Sequence, residues 1–492
     1  MTGNRFDVII VGGGVAGMST AARLQSKGRS TLVLEQHDHI GGCAGYYRSG
    51  EFTFDVGATT LVDFHLDGVG GQLLDEIGFE YSDITIQDAY SVWLPDRTVT
   101  LYRDQEKWRR ERREKLGNED RHLEFYKFLD EMSETLWQMT RQDIKMPIQS
   151  VQDVIQNVRA VGVTNIPLVR YLQWTMADAL RQYDVYDDTP LRKTVAMLVE
   201  DTVHSTLDNA PLLNSILGIT IRRAGIGRAT GGMYGFWGAF TEQYHTLGGT
   251  IKTGQTVTDI TGTDGAYTVS TQDKQYTARQ VVSAVPINLT KSIASSIVGN
   301  ALDEHIEMLR AHEGGAAVVF LGVPETEVDD HDITHHQILT AYDEPLGDGN
   351  NMFVTVSAPE DTVSAPEGYR AVMLSTHCDV EFWQELDDET YARRKDAIGQ
   401  RLISHARTVY PDLATDPVVY DIGTPVTYES FTNRPRGATG GYRQTIQNSN
   451  QHAVPQDIGV DGFYLAGDTT WPGLGTVACI KGSKIAADLV LE

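Results

Sequence analysis

The stretch from Phe6 to Glu35 constrains this chain more than any other. Phe6, Val8, Ile9, Ile10 and Val11 form a short apolar run of the kind seen in a strand buried on both faces. Gly12-Gly13-Gly14-Val15-Ala16-Gly17 follows at once and matches G-x-G-x-x-G. In such a turn the first glycine permits the tight bend. The second lets the backbone approach a pyrophosphate, and the third lets helix and strand pack closely. Met18, Ala21, Ala22 and Leu24 then predict a helix that stops near Gly28. Its free N–H groups and positive dipole end suit phosphate. A second strand, Thr31-Leu32-Val33-Leu34, ends in Glu35, eighteen residues past Gly17 and near the spacing of a ribose-binding acid. A lone glycine turn would mean little. Here strand, turn, helix, strand and acid agree on a dinucleotide, and an acid in place of Arg or Lys argues against a 2′-phosphate and so against NADP.

Three further segments bear on which dinucleotide. Ile40-Gly41-Gly42-Cys43-Ala44-Gly45 lies just past the acid, followed by Phe54-Asp55-Val56-Gly57-Ala58-Thr59-Thr60. Near the C-terminus, Phe463-Tyr464-Leu465-Ala466-Gly467-Asp468 reads as a strand ending in a carboxylate that can accept hydrogen bonds from ribityl or phosphate-side hydroxyls. The set resembles the two-dinucleotide-fold flavoproteins that include amine oxidases and carotenoid desaturases. The resemblance implies FAD rather than NAD. It places Gly12, Gly14, Val15, Ala16 and Gly17 at the pyrophosphate turn, with Glu35 and Gln36 beside the ribose. Gly41, Gly42, Cys43, Gly57, Ala58 and Thr59 follow along the cofactor. It also implies a backbone contact from Val257 on the adenine side, with Gly467, Asp468, Gly475, Thr476 and Val477 facing the flavin end.

Composition narrows the class. A chain of 492 residues with 41% hydrophobic content can build two or three domains. No apolar run approaches the length needed to span a bilayer. Met1-Thr2-Gly3-Asn4-Arg5 runs straight into the first strand, which leaves no room for a signal peptide. The cysteines Cys43, Cys378 and Cys479 are few, odd in number and widely spaced, which fits a reducing cytosol and gives no metal site. His335-His336 lacks metal-ligand spacing and reads as a surface pair. A formal net charge of −26 argues against nucleic acid, and requires any attraction to anionic lipid to be local.

Along the chain, Leu73, Leu74 and Ile77 predict a helix after Gly68. Tyr90–Leu94 and Thr98–Tyr102 flank Pro95-Asp96-Arg97 as a hairpin. The charged run 104–115, with Arg109, Arg110, Arg112 and Arg113, is either a membrane-touching patch or, the better reading, a solvated helix with Glu106–Arg110 and Glu111–Lys115 pairs. From His122 to Asp208 the pattern is helical. Within it Val161, Val163, Ile166, Leu168, Val169, Tyr171, Leu172, Trp174 and Met176, with Arg159, Arg170 and Arg181 around them, suit a cover over a substrate tunnel, a membrane interface or a buried cap helix. Residues 291–454 alternate strands with a helix over Thr390–Val409, as a mixed sheet does. The predicted fold is α/β: a Rossmann-like FAD domain (1–76, 228–290 and 455–492), a helical cap (77–227) and a mixed-sheet substrate domain (291–454).

The whole chain is similar to carotenoid desaturase and isomerase flavoproteins. The nearest branch is the cyanobacterial-type 3′,4′-desaturases, with prolycopene isomerases and retinol saturases as cousins. Phe52–Thr59, Val92-Trp93-Leu94-Pro95, Asn351–Ser357, Pro425–Phe431 with Gly440-Gly441, and Ala466–Thr476 carry the likeness. Cys43 stands where many relatives carry Arg, and Trp471 where a smaller residue is common. The resemblance implies hydride transfer from a polyene to flavin N5 in a dry tunnel, with oxygen or a quinone as electron acceptor, since no second G-x-G-x-x-G occurs. It implies a carotenoid or isoprenoid substrate, peripheral contact with membrane lipid and a cytoplasmic location. No catalytic residue is identified. Isomerisation on reduced FAD and polyene saturation are alternatives. A lipid-binding module like the GDP-dissociation inhibitors is the non-enzymatic one, and an amine oxidase a third reading.

Overall fold

The computed structural model describes residues 4–492, apart from the side chains of Val163, Thr164, Ile166 and Pro167. Met1, Thr2, Gly3 and the apolar readings of Val163 and Ile166 lie outside the described residues. The opening motif folds as predicted. Strand Arg5–Val11 leads into helix Val15–Ser26 and strand Thr31–Leu34. The two strands pair in parallel, Val8 with Thr31 and Val11 with Leu34. They sit inside a seven-stranded sheet with Thr250–Lys252 on one side and Gln275–Ser283 on the other, and Phe463–Leu465 pairs with the latter in parallel. Antiparallel strands Ala266–Thr271 and Val257–Thr263 complete it.

Both faces of this sheet are covered, which explains the uninterrupted apolar run of the first strand. Val8, Ile10 and Val33 pack with Met18, Ala21 and Leu24, and with Ile480 and Ala486 of the closing helix Thr476–Leu491. Ile9, Val11, Leu32 and Leu34 face Ile260, Tyr267, Val281 and Phe463 on the other side. Each such side chain contributes about 1.5–3 kcal/mol of burial.

A second seven-stranded sheet runs in the order Val419–Gly423, Gly315–Pro324, Tyr369–Cys378, Asn351–Val356, His335–Leu339, Ala89–Leu94, Arg97–Tyr102. The predicted hairpin is present, and its first strand pairs in parallel with His335–Leu339, Ser91 against His336. The period-2 alternation divides the sheet's two faces. Val319, Leu321, Val354, Val372 and Leu374 pack on Leu402, Ile403 and Ala406 of helix Asp388–Ala406. The opposite face bears Ala316, Val318, Phe320, Phe353 and Met373 and walls the cavity described below.

The structure corrects three sequence readings. His335 and His336 are not a surface pair: they lie inside the second sheet, 1% and 0% exposed. His336 takes an N–H bond from Trp93 at 3.2 Å and meets the Tyr410 hydroxyl at 3.0 Å. The doublet escaped because a polar pair can sit in a covered strand once each ring finds a partner. The run 104–115 does form a helix, Gln105–Leu116, but not with the predicted pairs. Glu106 binds Arg109, Glu111 accepts the Thr100 N–H, and Arg112 is buried against Asp130 at 2.7 Å. Finally, the second apolar segment is broken. Helix Val151–Val161 stops at Gly162, which has φ +75°. A run of 3₁₀ turns, Val163–Gln173, follows before helix Met176–Gln182.

Among the described residues no helix is long and apolar enough to cross a membrane.

Candidate functional site

The ends of the first, second and last strands of the cofactor sheet open into a cavity of about 1750 Å³. Of the nineteen residues singled out in the sequence for the cofactor, every one except Gly17 borders this space. Gly17 instead packs beneath it: a Cβ there would collide with the Gly12 carbonyl oxygen. Gly14 is different. A Cβ on it would have no neighbour nearer than the Gly42 Cα at 3.8 Å, and its φ of −75° suits any residue. Nothing in the chain itself requires glycine at 14, so the open side fits a ligand that comes close to the backbone.

The double glycine has its own reason. Gly14 and Gly41 form an isolated parallel bridge, and a Cβ on Gly42 would press to 3.2 Å of the Gly14 Cα. Two backbones meet there, and Gly41 and Gly42 both take positive φ. Glu35 closes the turn from below. Its Oε2 accepts the Gly13 N–H at 2.6 Å and its Oε1 the His37 N–H at 2.8 Å. Burial pushes its pKa up, while those N–H groups favour the carboxylate. The helix Val15–Ser26 and the helix Thr476–Leu491 both aim their N-termini at the cavity, with Gly14 and Gly475 as N-caps and no acid in either first turn. Two positive dipole ends and a free edge of glycine backbone suit a pyrophosphate and the oxygens of a flavin. The donors and the cradle fit FAD.

Asp468 borders the cavity and is also engaged by a residue the sequence did not reveal. Arg434 Nη2 donates to Asp468 Oδ2 at 2.7 Å, with both side chains mostly buried. No sequence signal links positions thirty-four apart through a loop. Two more groups were missed for the same reason. His204 and His377 line the cavity with Glu200 against them, His377 Nδ1 lying 2.6 Å from Glu200 Oε1. Asp201, Arg222 and Tyr90 form a second polar patch. Arg222 stacks over the Tyr90 ring at 4.2 Å and lies 3.8 Å from Asp201, whose pKa burial raises to about 6. His335 also reaches the cavity, and burial drives its pKa down to about 3, so it stays neutral.

A model of the family described as flavin containing amine oxidoreductase matches residues 15–491. The chain belongs to that family. It is an FAD-dependent oxidoreductase. A prolycopene isomerase of Daucus carota is 23% identical over 522 residues, covering 99% of this chain and 81% of that protein. A 4,4′-diapophytoene desaturase of Staphylococcus aureus is 22% identical, covering 99% of this chain and 98% of that protein. Among solved structures, a putrescine oxidase redesigned for cofactor binding superposes with a TM-score of 0.65 at 15% identity, covering 99% of this chain and 100% of the other. An oxidoreductase from Methanosarcina mazei gives 0.62 at 16% identity, covering 98% and 99%. Those likenesses extend the two-dinucleotide-fold architecture to the whole of this chain.

Proposed function

We propose that this flavoprotein oxidises a carotenoid polyene, removing hydrogen from neighbouring carbons to extend conjugation. One observation carries the reading: the glycine cradle and the apolar wall of the second sheet enclose a single space. At about 1750 Å³ it exceeds the ~300–1,000 Å³ of an ordinary small-molecule site. Beyond the cradle the cavity is lined by apolar residues, Phe320, Phe353 and Met373 of the second sheet and Leu213, Leu217 and Ile221 of the helical part. That suits a linear hydrocarbon. The names of the isomerase and desaturase relatives agree with such a substrate. An intact cradle argues against a lipid carrier without redox work.

The nineteen cavity and turn residues are assigned to FAD on this reading, with Glu35 at the ribose, Gly12 to Gly17 at the pyrophosphate and Asp468 with Thr476 toward the flavin. FAD, when bound, supplies the hydride acceptor. The chain's own part is to align the polyene, exclude water and receive a proton. Residues 1–76, 228–290 and 455–492 are assigned to the cofactor, 291–454 to the substrate sheet and 77–227 to the cap, with the Ala89–Tyr102 hairpin hydrogen-bonded to that sheet. Oxygen or a quinone is the proposed acceptor. The test is anaerobic mixing of the flavin-loaded protein with phytoene, neurosporene or lycopene in phosphatidylcholine vesicles. Bleaching of the flavin with a red-shifted pigment is expected. Conversion of cis to all-trans lycopene by the chemically reduced protein, with no bleaching of the oxidised form, would mark it an isomerase instead.

Such a substrate dissolves in bilayers, so a membrane-facing mouth follows, on a protein proposed to be cytoplasmic and peripherally bound. The sequence favoured 161–176 for this surface. Val161, Leu168, Val169 and Leu172 of that stretch do line the cavity. Leu168 and Trp174 also pack against the helical core, and among its described side chains Val169 is exposed. The better surface is helix Val151–Val161. Val151, Val154, Ile155 and Val158 recur at helical spacing and are 77%, 43%, 45% and 39% exposed. Val154, Val158 and nearby Ile148 also line the cavity. Over 144–175 three cations, Lys145, Arg159 and Arg170, face one carboxylate, Asp153, so this surface escapes the acidic field of the rest. Liposome flotation of the native protein is expected to survive high salt, because the drive is apolar. A Val154→Asp, Val158→Asp double variant should fold normally and stop floating. Equal flotation of both, or release of the native protein by salt, would reject the helix as the docking face.

A further inference from the structure

We propose that His377 is the catalytic base that takes the proton in this dehydrogenation, and that Glu200 is its positioning residue. The inference rests on the polyene-oxidising reading above. Strand Tyr369–Cys378 alternates, and Met373, Ser375 and His377 share its cavity face. The His377 ring is held by Glu200, whose Oε1 lies 2.6 Å from Nδ1. Glu200 is itself fixed: its Oε2 accepts the Asn351 amide N–H at 3.0 Å. A carboxylate on Nδ1 sets the tautomer with its proton there and leaves the Nε2 lone pair toward the cavity.

The pair is connected to the Gly440-Gly441 backbone through His204. His204 lies against His377, ring centroids 4.5 Å apart, on the left-handed residue that ends helix Thr189–Val203. A Cβ on Gly440 would come within 2.6 Å of the His204 ring, and one on Gly441 within 2.9 Å of the Leu474 Cβ and 3.0 Å of the Asp468 carbonyl. His204 therefore abuts Gly440, whose neighbour Gly441 meets the Asp468–Leu474 turn before the closing helix. Glu200, Asp201, His204 and Arg443 are the charged or titratable groups felt by His377. Burial pulls its pKa down, but Glu200 outweighs burial and the net shift is upward. His204 is driven the other way, to about 3, by burial and by His377, so it does not compete for the proton.

In the step, one carbon gives its proton to Nε2, turning imidazole into imidazolium. The electron pair of that C–H bond becomes the new double bond. The neighbouring hydrogen would leave with its own pair as hydride, for which bound FAD would supply the two-electron acceptor. One substrate is oxidised by two electrons and one flavin is reduced by two.

The first test is a histidine-ring NMR titration of the flavin-loaded protein. His377 is expected to titrate above the ordinary value of about 6.5, and E200Q to lower it. The second is the anaerobic bleaching rate with lycopene in phosphatidylcholine vesicles. H377Q should slow it at least 100-fold at equal FAD content, the range of general-base catalysis. E200Q should move the rising limb of the rate to lower pH, and it keeps the test open should H377Q not accumulate. Bleaching at the native rate in H377Q, or an unmoved limb and titration in E200Q, overturns the base alone. A native flavin that no acyclic carotenoid bleaches overturns the dehydrogenase reading and the base with it.

Discussion

A Gly14→Val protein should fold with an unshifted thermal midpoint and purify without FAD, while Gly17→Ala should lose stability itself. The two glycines belong to one motif but answer to different neighbours. Gly17 meets its own chain: an added Cβ collides with the Gly12 carbonyl, a backbone atom held by the first strand. Relief would need the helix Val15–Ser26 to lift off the sheet, exposing Met18, Ala21 and Leu24. Overpacking of that kind costs about 1–3 kcal/mol or more. Apart from its backbone bridge to Gly41, Gly14 faces the cavity. The Cβ of a valine there has no neighbour nearer than 3.8 Å, and its methyls enter the space where a pyrophosphate would take N–H bonds. Losing two charge-assisted bonds is worth about 3–6 kcal/mol, on the order of 100- to 10,000-fold in affinity. Thermal melts and flavin absorbance check both. A Gly14→Val protein that retains yellow colour at native occupancy would show that the cofactor does not approach this backbone.

This contrast also marks what the sequence could and could not tell. The opening motif was legible because its signals are local. Apolar run, glycine spacing and terminal acid lie within one strand–helix–strand unit, and each is a backbone requirement visible as a residue type. Five of the seven strands of the second sheet were legible for the same reason, while His335–Leu339 and Val419–Gly423 were not. What failed were pairings across distance. His335 and His336 looked solvent-facing because burial in a strand depends on neighbours that sequence does not place, such as Tyr410 and Trp93, the partners of His336. Glu200, His204 and His377 come from a helix, its C-cap and a strand of the other sheet. No spacing rule joins them. The apolar stretch at 161–176 does border the cavity, through Val161, Leu168, Val169 and Leu172, but composition could not show that the neighbouring helix carries the more exposed apolar face. The Leu168 and Trp174 side chains turn toward the helical core, while the neighbouring helix leaves its valines in solvent.

The Arg434–Asp468 pair leads to the second large effect, which differs from what the motif alone suggests. Read as a cofactor ligand, Asp468 could be removed at the expense of flavin only. The structure gives it a second duty, as the partner of a guanidinium that is 15% exposed and borders the same cavity. Asp468→Ala strands that cation. Breaking one side of a buried pair typically costs about 3–5 kcal/mol, since the remaining charge keeps its desolvation penalty without its attraction. Asp468→Ala should therefore lower the apoprotein's thermal midpoint as well as its flavin content. Removing both charges together, in Asp468→Ala with Arg434→Met, should restore most of the apoprotein's stability and none of its flavin binding. The double-mutant cycle separates the two duties. Apoprotein melts report the ion pair and flavin titrations report the ligand. An Asp468→Ala apoprotein as stable as the native one would mean that Arg434 finds water or another acceptor in the cavity. A double variant that regains flavin would remove Asp468 from the cofactor site.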